Sequence, residues 1–248
     1  MPFVTLLRTR KRLALAAGVT LAASASPALA QYAGGVSASI EAASDERRRG
    51  LSWSDGDPVL RGAVSVPVTE GLSLDGSAVS LWGSARHGGA DAVIDIGPSY
   101  SRQIGGGWRL TAEGRYHLFP GAADQAYGEF GAGAGFLLGP ASVNLFASYA
   151  PSQSAIGGDN LYLSASVMAG VPGTPFTISA RIGRSSGEVR DPTKAARLRP
   201  DGDYWDHGIG IEYLKGRWAA GLRYADSSIG PASRHAGPSI IGRVAFRL

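Results

Sequence analysis

The sequence predicts an all-β protein: a twelve-stranded antiparallel up-and-down transmembrane β-barrel with short periplasmic turns and longer extracellular loops. Apolar and polar residues alternate along a dozen segments, and this period of two is typical of strands. No helical pattern separates the segments, so neighbouring strands are expected to pair antiparallel. The segments are about 9 to 13 residues long, close to what a tilted strand needs to cross a bilayer.

The segment 108–119 shows the alternation most clearly. Trp108 and Leu110 lie on one face, whereas Arg109 and Glu113 lie on the other. In a helix these charges would surround the axis, so the segment is interpreted as a strand. The same reasoning gives twelve strands, of which the third has an ambiguous phase: 36–44, 59–68, 72–83, 91–101, 108–119, 126–138, 142–150, 160–169, 175–184, 203–213, 217–225 and 238–248.

The connections between these segments alternate in length. Long connections such as 45–58 and 185–202 follow odd segments, and short ones such as 69–71 and 139–141 follow even segments. Bacterial outer-membrane barrels have an even number of strands, short periplasmic turns and longer outer loops. The pattern therefore places both ends of the barrel domain on the periplasmic side.

Residues 1–30 are predicted to be a cleaved signal peptide, and residues 31–248 the outer-membrane β-barrel. The leader has a basic start that ends at Arg12, an apolar stretch from Leu13, and a small-x-small cleavage site that ends at Ala30. Export combined with the barrel pattern predicts a location in the outer membrane of a Gram-negative cell.

Charge and cysteine content exclude several classes of protein. The chain has 24 Lys and Arg against 20 Asp and Glu, but four of the basic residues belong to the leader and the remainder is balanced. No basic surplus is left for nucleic-acid binding. The absence of cysteine excludes a disulfide framework and thiolate metal sites. The sequence has no P-loop, zincin or hydrolase-elbow motif, so we expect no cofactor, no metal and no catalytic residue.

Aromatic residues on the apolar faces gather near the ends of the predicted strands. Amphipathic rings favour the headgroup level of a bilayer, which produces such girdles in membrane barrels. This predicts that the apolar face meets lipid, and that lipid and lipopolysaccharide are partners of the protein. The predicted aromatic girdle comprises Trp82, Tyr100, Trp108, Tyr116, Tyr149, Trp205, Tyr213, Trp218, Tyr224 and Phe246.

The polar faces would then line the lumen. With Asp75 included, they carry seven acids and seven arginines, which predicts weak charge selectivity. Two interpretations stay open: a narrow wet channel, and a lumen closed by ion pairs. The predicted lumen-lining residues are Glu41, Arg61, Asp95, Arg109, Glu113, Arg115, His117, Glu129, Arg181, Asp206, Glu212, Arg223, Arg243 and Arg247.

Two stretches of the sequence resemble the TorF-type porin family of proteobacterial outer-membrane proteins. One is the acidic and arginine-rich stretch 44–58, and the other is 116–122 followed by 127–129. The resemblance implies a porin-like barrel and brings no substrate or catalytic residue with it. The matching positions are Asp45, Arg47, Arg49, Gly50, Leu51, Ser52, Asp57, Pro58, Pro120, Gly121 and Glu129, with departures at Glu46 and Arg48.

The sequence thus predicts a porin that forms a narrow channel for passive diffusion of small solutes. Two other classes stay open. A structural or ligand-binding barrel without transport would use 45–58 and 185–202 for binding. An outer-membrane lipid hydrolase is suggested by His207, which lies on the apolar face near the outer rim, two residues after Trp205. No serine and carboxylate are placed beside His207 by the strand pattern.

Overall fold

The computed structural model describes residues 35–230, 233 and 235–248. The predicted signal peptide, residues 1–30, lies outside the described residues. Within them no helix is long and apolar enough to cross a bilayer. The short helical segments are 3₁₀ turns at Ala85–His87, Ala123–Gln125 and Ser154–Ile156 and an α-helical turn at Pro192–Ala195.

All twelve predicted strands are confirmed, with ends that differ from the prediction by four residues or fewer. In the described part of the chain they are β1 (Ser37–Ala43), β2 (Val59–Thr69), β3 (Leu72–Ser84), β4 (Ala90–Gly105), β5 (Trp108–Leu118), β6 (Tyr127–Leu138), β7 (Ala141–Gln153), β8 (Gly158–Gly170), β9 (Phe176–Ser186), β10 (Tyr204–Lys215), β11 (Trp218–Ser227) and β12 (Ser239–Arg247).

The strands form one closed antiparallel barrel. Each strand pairs with its neighbours in sequence, and β1 closes the ring by pairing with both β2 and β12. The closing register places Ile40 opposite Phe246 on one side and opposite Gly62 on the other. Closure satisfies the backbone of every strand and leaves no free edge, as a membrane barrel requires.

Connection lengths alternate as the sequence predicts, with one exception, since the connection 154–157 is shorter than the next one, 171–175. One end of the barrel, here called the turn end, carries the tight connections 70–71, 106–107, 139–140, 171–175 and 216–217. The other, the loop end, carries 44–58, 85–89, 119–126, 154–157, 187–203 and 228–238. We call 44–58 loop 1 and 187–203 loop 5.

The outer surface of the barrel is apolar and bears aromatic pairs at the turn end. Three directly opposed cross-strand pairs have ring centroids about 5 Å apart: Trp108 with Phe136, Phe176 with Tyr213, and Trp218 with Phe246. Such pairs stabilise neighbouring strands. Of the predicted girdle, Trp82, Tyr100, Trp108, Tyr116, Trp205 and Trp218 are exposed, while Tyr149, Tyr213, Tyr224 and Phe246 are half-buried.

The inside of the barrel differs between its two halves. Toward the loop end, inward-facing side chains such as Val79, Leu81 and Tyr127 are apolar and almost fully buried. They form one cluster with Leu51 and Trp53 of loop 1. Strand alternation alone assigns apolar residues to the lipid face, so this interior cluster was not anticipated. It also explains the ambiguous phase of the third segment, in which Val79 and Leu81 face inward.

Candidate functional site

Loop 1 folds back into the barrel and fills its loop end. Arg47–Arg48 pairs with Leu51–Ser52 as a short antiparallel hairpin. Its two turn residues, Arg49 and Gly50, both have positive φ, +50° and +78°, as a tight type I′ turn requires. We call residues 45–54 the plug.

Asp45 organises the base of the plug. Its carboxylate accepts hydrogen bonds from Arg47 Nε at 3.2 Å, Ser52 Oγ at 2.5 Å and Ser54 Oγ at 3.0 Å. Ser54 Oγ also accepts from the backbone N–H of Glu46. These bonds satisfy polar groups that are almost completely buried, so the hairpin enters the barrel with its polar groups paired.

Arg49 carries the tip of the plug across the lumen to the opposite wall. Its Nη2 donates to both carboxylate oxygens of Glu129, at 2.8 and 2.7 Å. The guanidinium also lies over the ring of Tyr162, 4.8 Å from its centroid. Tyr204 in turn donates its hydroxyl to the carbonyl of Arg49 at 2.9 Å. The tip is therefore held by three strands, β6, β8 and β10.

Arg48 and Glu46 tie the plug to two further strands. Arg48 pairs with Glu46 at 2.7 Å and with Asp95 of β4 at 2.9 Å. Glu46 also accepts two hydrogen bonds from Arg61 of β2, both at 2.6 Å. The Arg48 guanidinium stacks on the Trp53 ring, 4.2 Å from its centroid, a cation–π contact.

The charges of plug and wall are complementary. Among the described residues, Asp95 and Glu129 pair with no arginine of the barrel wall. Their shared wall partner is His117, whose Nδ1 lies 2.6 Å from Asp95 and whose Nε2 lies 3.3 Å from Glu129. The plug supplies the missing cations, Arg48 and Arg49. The carboxylates of the barrel wall are thus complementary in charge to a basic loop.

The ionisable side chains of the plug are held in their charged states. Burial alone would raise the pKa of Glu46, but Arg48 and Arg61 outweigh it and hold that pKa below its usual range. Burial would lower the pKa values of Arg48 and Arg49, yet their carboxylate partners raise both. At the plug, the summed attraction between opposite charges at short range therefore shifts these pKa values more than desolvation does.

Loop 5 packs over the plug, and two of its arginines, Arg197 and Arg199, are buried. Arg197 donates to His87 Nδ1 at 3.1 Å and to the carbonyls of Ala155 and Gln125. These acceptors are neutral, and burial lowers the pKa of Arg197 to about 10.

A polar cavity of about 1050 Å³ lies beneath the plug, on its turn-end side. The plug residues from Asp45 to Arg48 form its upper boundary, and residues at the chain's C-terminus lie at its lower boundary. The plug therefore fills the lumen at the loop end and leaves a polar vestibule beneath it. Nine predicted lumen residues line it: Glu41, Arg61, Asp95, Glu113, Arg115, Glu212, Arg223, Arg243 and Arg247.

The other predicted lumen residues lie elsewhere. His117, Glu129 and Asp206 are buried at the level of the plug, and Arg181 pairs with Asp206 at 2.9 Å. Arg109 is not brought into the cavity. It is the second residue of β5 and is exposed at the rim beside the turn 106–107, because strand parity fixes the face of a residue but not its depth.

Most charges around the cavity are paired. Arg243 bridges Glu41, at 3.1 Å, and Glu212. Arg115 pairs with Glu113 at 3.1 Å. Among the described cavity residues, Arg223, Arg247 and Asp75 pair with no opposite charge. The electrostatic field in the cavity therefore arises mainly from these three unpaired charges, and two of them are arginines.

Several aspartates near the loop end, loosely spaced in the sequence like calcium ligands, have other partners. Asp55 accepts from the backbone N–H of Ala85 at 2.6 Å, and Asp201 accepts from that of Gly230 at 3.1 Å. Asp206 belongs to the interior ion pair with Arg181. In the described part of the chain no three His, Asp or Glu side chains are grouped as a metal site.

Sequence reasoning missed the plug itself. Its signal was present in three consecutive arginines, Arg47 to Arg49, within a connection that also contains Leu51 and Trp53. Apolar residues beside a run of like charge are unexpected in a solvated loop. Both kinds of residue find partners inside the barrel, because the lumen contains an apolar cluster for the apolar side chains and carboxylates for the arginines.

The sequence matches a family model over residues 27–238, described as a bacterial protein of unknown function, Gcw_chp. The chain belongs to the Gcw_chp family. The match spans the plug and ends immediately before β12. No curated protein matches the sequence. The resemblance to TorF-type porins stays a prediction, since the Gcw_chp description carries no function.

Solved structures of outer-membrane porins share the fold of this Gcw_chp chain. The NanC porin superposes with a TM-score of 0.58 at 9% identity, covering 85% of this chain and 100% of that one. The KdgM porin gives 0.56 at 9% identity, covering 85% and 97%. The KdgM porin in complex with disordered oligogalacturonate gives 0.52 at 9% identity, covering 86% and 96%. At such identity the likeness shows the barrel fold.

Proposed function

We propose that the protein is an outer-membrane channel for small polar solutes, gated by the plug. The observation that carries the proposal is the charged cavity of about 1050 Å³ inside a closed twelve-stranded barrel. A barrel of this size lies between the filled eight-stranded and the open sixteen-stranded cases. The obstruction is a loop held by side-chain contacts, which a barrel can release without losing strand pairing.

The orientation follows from the connection lengths. The loop end, with loop 1 and loop 5, faces the cell exterior, and the turn end faces the periplasm. The apolar outer surface contacts lipid, and the exposed residues of loop 5, such as Lys194, meet lipopolysaccharide. Solutes from the exterior enter the vestibule once the plug moves aside.

Selectivity in this proposal is weak and set mainly by the unpaired charges. Seven of the cavity's acids and arginines form ion pairs with one another or with the plug, so their fields largely cancel. Arg223 and Arg247 are opposed by Asp75 alone. A slight preference for anions is the expected result.

A barrel that binds a ligand without transport is the second candidate, because the plug closes one end of the cavity. A lipid hydrolase finds less support. His207 is exposed on the outer surface, and its ring lies 6.2 Å from that of Tyr224. No serine of the described residues is hydrogen-bonded to His207, so the geometry shows no nucleophile and base.

Planar-bilayer conductance tests the proposal. We compare the natural protein with an Arg48→Gln/Arg49→Gln variant and with one in which residues 46–53 are a Gly-Ser linker of equal length. The natural protein should show small or rare openings, the arginine variant more frequent ones, and the linker variant a steady current. Arg184→Gln is the control, since its pair with Asp203 lies on the exposed surface.

If the linker variant conducts no better than the natural protein, the lumen is not the path and the channel proposal fails. Solute binding to the cavity in that case would favour the ligand-binding barrel. If Arg184→Gln changes the current as much as the plug variants do, gating by the plug is contradicted.

A further inference from the structure

One arginine of the cavity is half-buried and yet pairs with no acidic side chain of the described residues. Arg223 of β11 is half-buried and lines the cavity directly beneath the plug. Its hydrogen bond to the described residues runs from Nη2 to the carbonyl of Arg47, at 3.3 Å. The neighbouring arginines differ, since Arg181 pairs with Asp206, and Arg243 pairs with Glu41 and Glu212. A partly desolvated charge without a counter-charge is unfavourable.

The strand register places a stretch of bare backbone beside Arg223. Gly210 of β10 lies directly between Ser179 of β9 and Arg223 of β11, and all three residues line the cavity. The position does not admit a side chain, since a Cβ placed there would lie 2.9 Å from Ser179 Oγ and 3.8 Å from Arg223 Cβ. The notch at Gly210 is thus bordered by the Ser179 hydroxyl and the Arg223 side chain, and both can donate hydrogen bonds.

We propose that this notch binds a small oxyanion, a carboxylate or a phosphate, that enters from the cavity. The planar guanidinium of Arg223 presents two parallel N–H donors, which match two oxygens of such an anion. Ser179 Oγ supplies a third donor. Glu212, one position along the inward face of β10, is already neutralised by Arg243. The site deepens the proposed channel function, because an anionic solute would pause there beneath the plug.

Calorimetric titration of the full-length protein in detergent with inorganic phosphate tests the site, at constant ionic strength set with sodium chloride. The natural protein should bind phosphate saturably. Arg223→Gln should weaken binding by at least about tenfold, as loss of charge-assisted hydrogen bonds implies. Gly210→Ala should weaken it comparably, because the added methyl group would displace the Ser179 hydroxyl without changing charge. Acetate in place of phosphate distinguishes a general oxyanion site from a phosphate site.

Arg247→Gln is the matched control, since Arg247 is also an unpaired arginine of the same cavity. It should bind phosphate as the natural protein does. Equal loss in Arg247→Gln would show that diffuse charge attracts the anion, and unchanged binding in Arg223→Gln would remove the site. Absence of saturable binding to the natural protein overturns the proposal as well.

Binding is measured here without any current, so the two proposals fail separately. A protein that conducts but does not bind phosphate refutes the notch alone. One that binds phosphate but never conducts refutes the channel alone. Thermal unfolding of each variant, monitored by circular dichroism, verifies that the barrel is intact.

Discussion

Arg49 and Glu129 meet across the lumen although 80 residues separate them in sequence, with two hydrogen bonds of 2.8 and 2.7 Å. One belongs to the tip of the plug and the other to the wall of β6. The contact is largely shielded from solvent, with side-chain exposures of 18% and 7%. Its strength bears directly on how firmly the loop end is closed.

Arg49→Gln should lower the free energy of unfolding by about 1–3 kcal/mol, because Glu129 is left buried without its cation. The same variant should increase the open probability in bilayers. A double-mutant cycle with Glu129→Gln, measured by urea titration in lipid vesicles, isolates the coupling. Arg184→Gln should cost less than about 1 kcal/mol, since its pair is exposed. Equal losses in both arginine variants would argue against a special role of the tip.

Gly50→Ala should displace the tip of the plug. Gly50 has φ of +78°, and an added Cβ would lie 2.7 Å from Asp206 Cβ. Gly139→Ala is the matched control, because Gly139 also has positive φ but nothing within 4 Å of a new Cβ. Both changes carry the backbone strain of roughly 1 kcal/mol, and Gly50→Ala should cost more. Faster protease cleavage within loop 1 of the Gly50 variant alone is the second readout.

Ile209→Arg tests which face of the barrel meets lipid. Ile209 is 62% exposed and lies midway between Trp205 and Tyr213 on β10. An arginine at the bilayer midplane should destabilise the barrel by about 2–4 kcal/mol. Ser166→Arg is the control, since Ser166 is opposite Arg181 in the register and faces inward. Greater damage from Ser166→Arg in refolding titrations would invert the face assignment.

Acidification should loosen the loop end. Burial, followed by the charges of Arg197 and Arg86, lowers the pKa of His87 well below its usual range. In the opened state His87 would take up a proton below about pH 6.5, so the packed state loses stability as pH falls from there toward the lower folded pKa. The depressed pKa of Glu46 acts in the same direction, but at more acidic pH.

Hydrogen exchange of loop 5 between pH 7 and pH 5, corrected for intrinsic rates, measures this effect. His87 packs against Trp53 and Phe119, with ring centroids 4.4 and 4.8 Å away, and it faces the charges of Arg48, Arg86 and Arg197 and the ring of His117. His87→Phe should flatten the pH dependence while keeping the packing. An unchanged profile in that variant would show that His87 is not the responsible group.

Much of the barrel is determined locally and can therefore be predicted from sequence. Alternation such as that of 108–119 fixes which side chains share a face, and tight turns fix which strands pair. The pairing of Gly105 with Trp108 follows from the turn at 106–107 alone. Twelve strands, their order and the outward aromatic residues needed no information beyond neighbouring segments.

The plug and the depth of each residue were decided by the tertiary structure. Leu51 and Trp53 beside the arginine run argue against a simply solvated loop, but the sequence near Arg49 does not identify its partner, because Glu129 lies on a distant strand. Parity assigns Arg109 and Arg115 to the same face, yet one lies at the rim and the other lines the cavity. Burial of Trp53 among inward apolar side chains and pairing of plug arginines with wall carboxylates arise only once the barrel has closed.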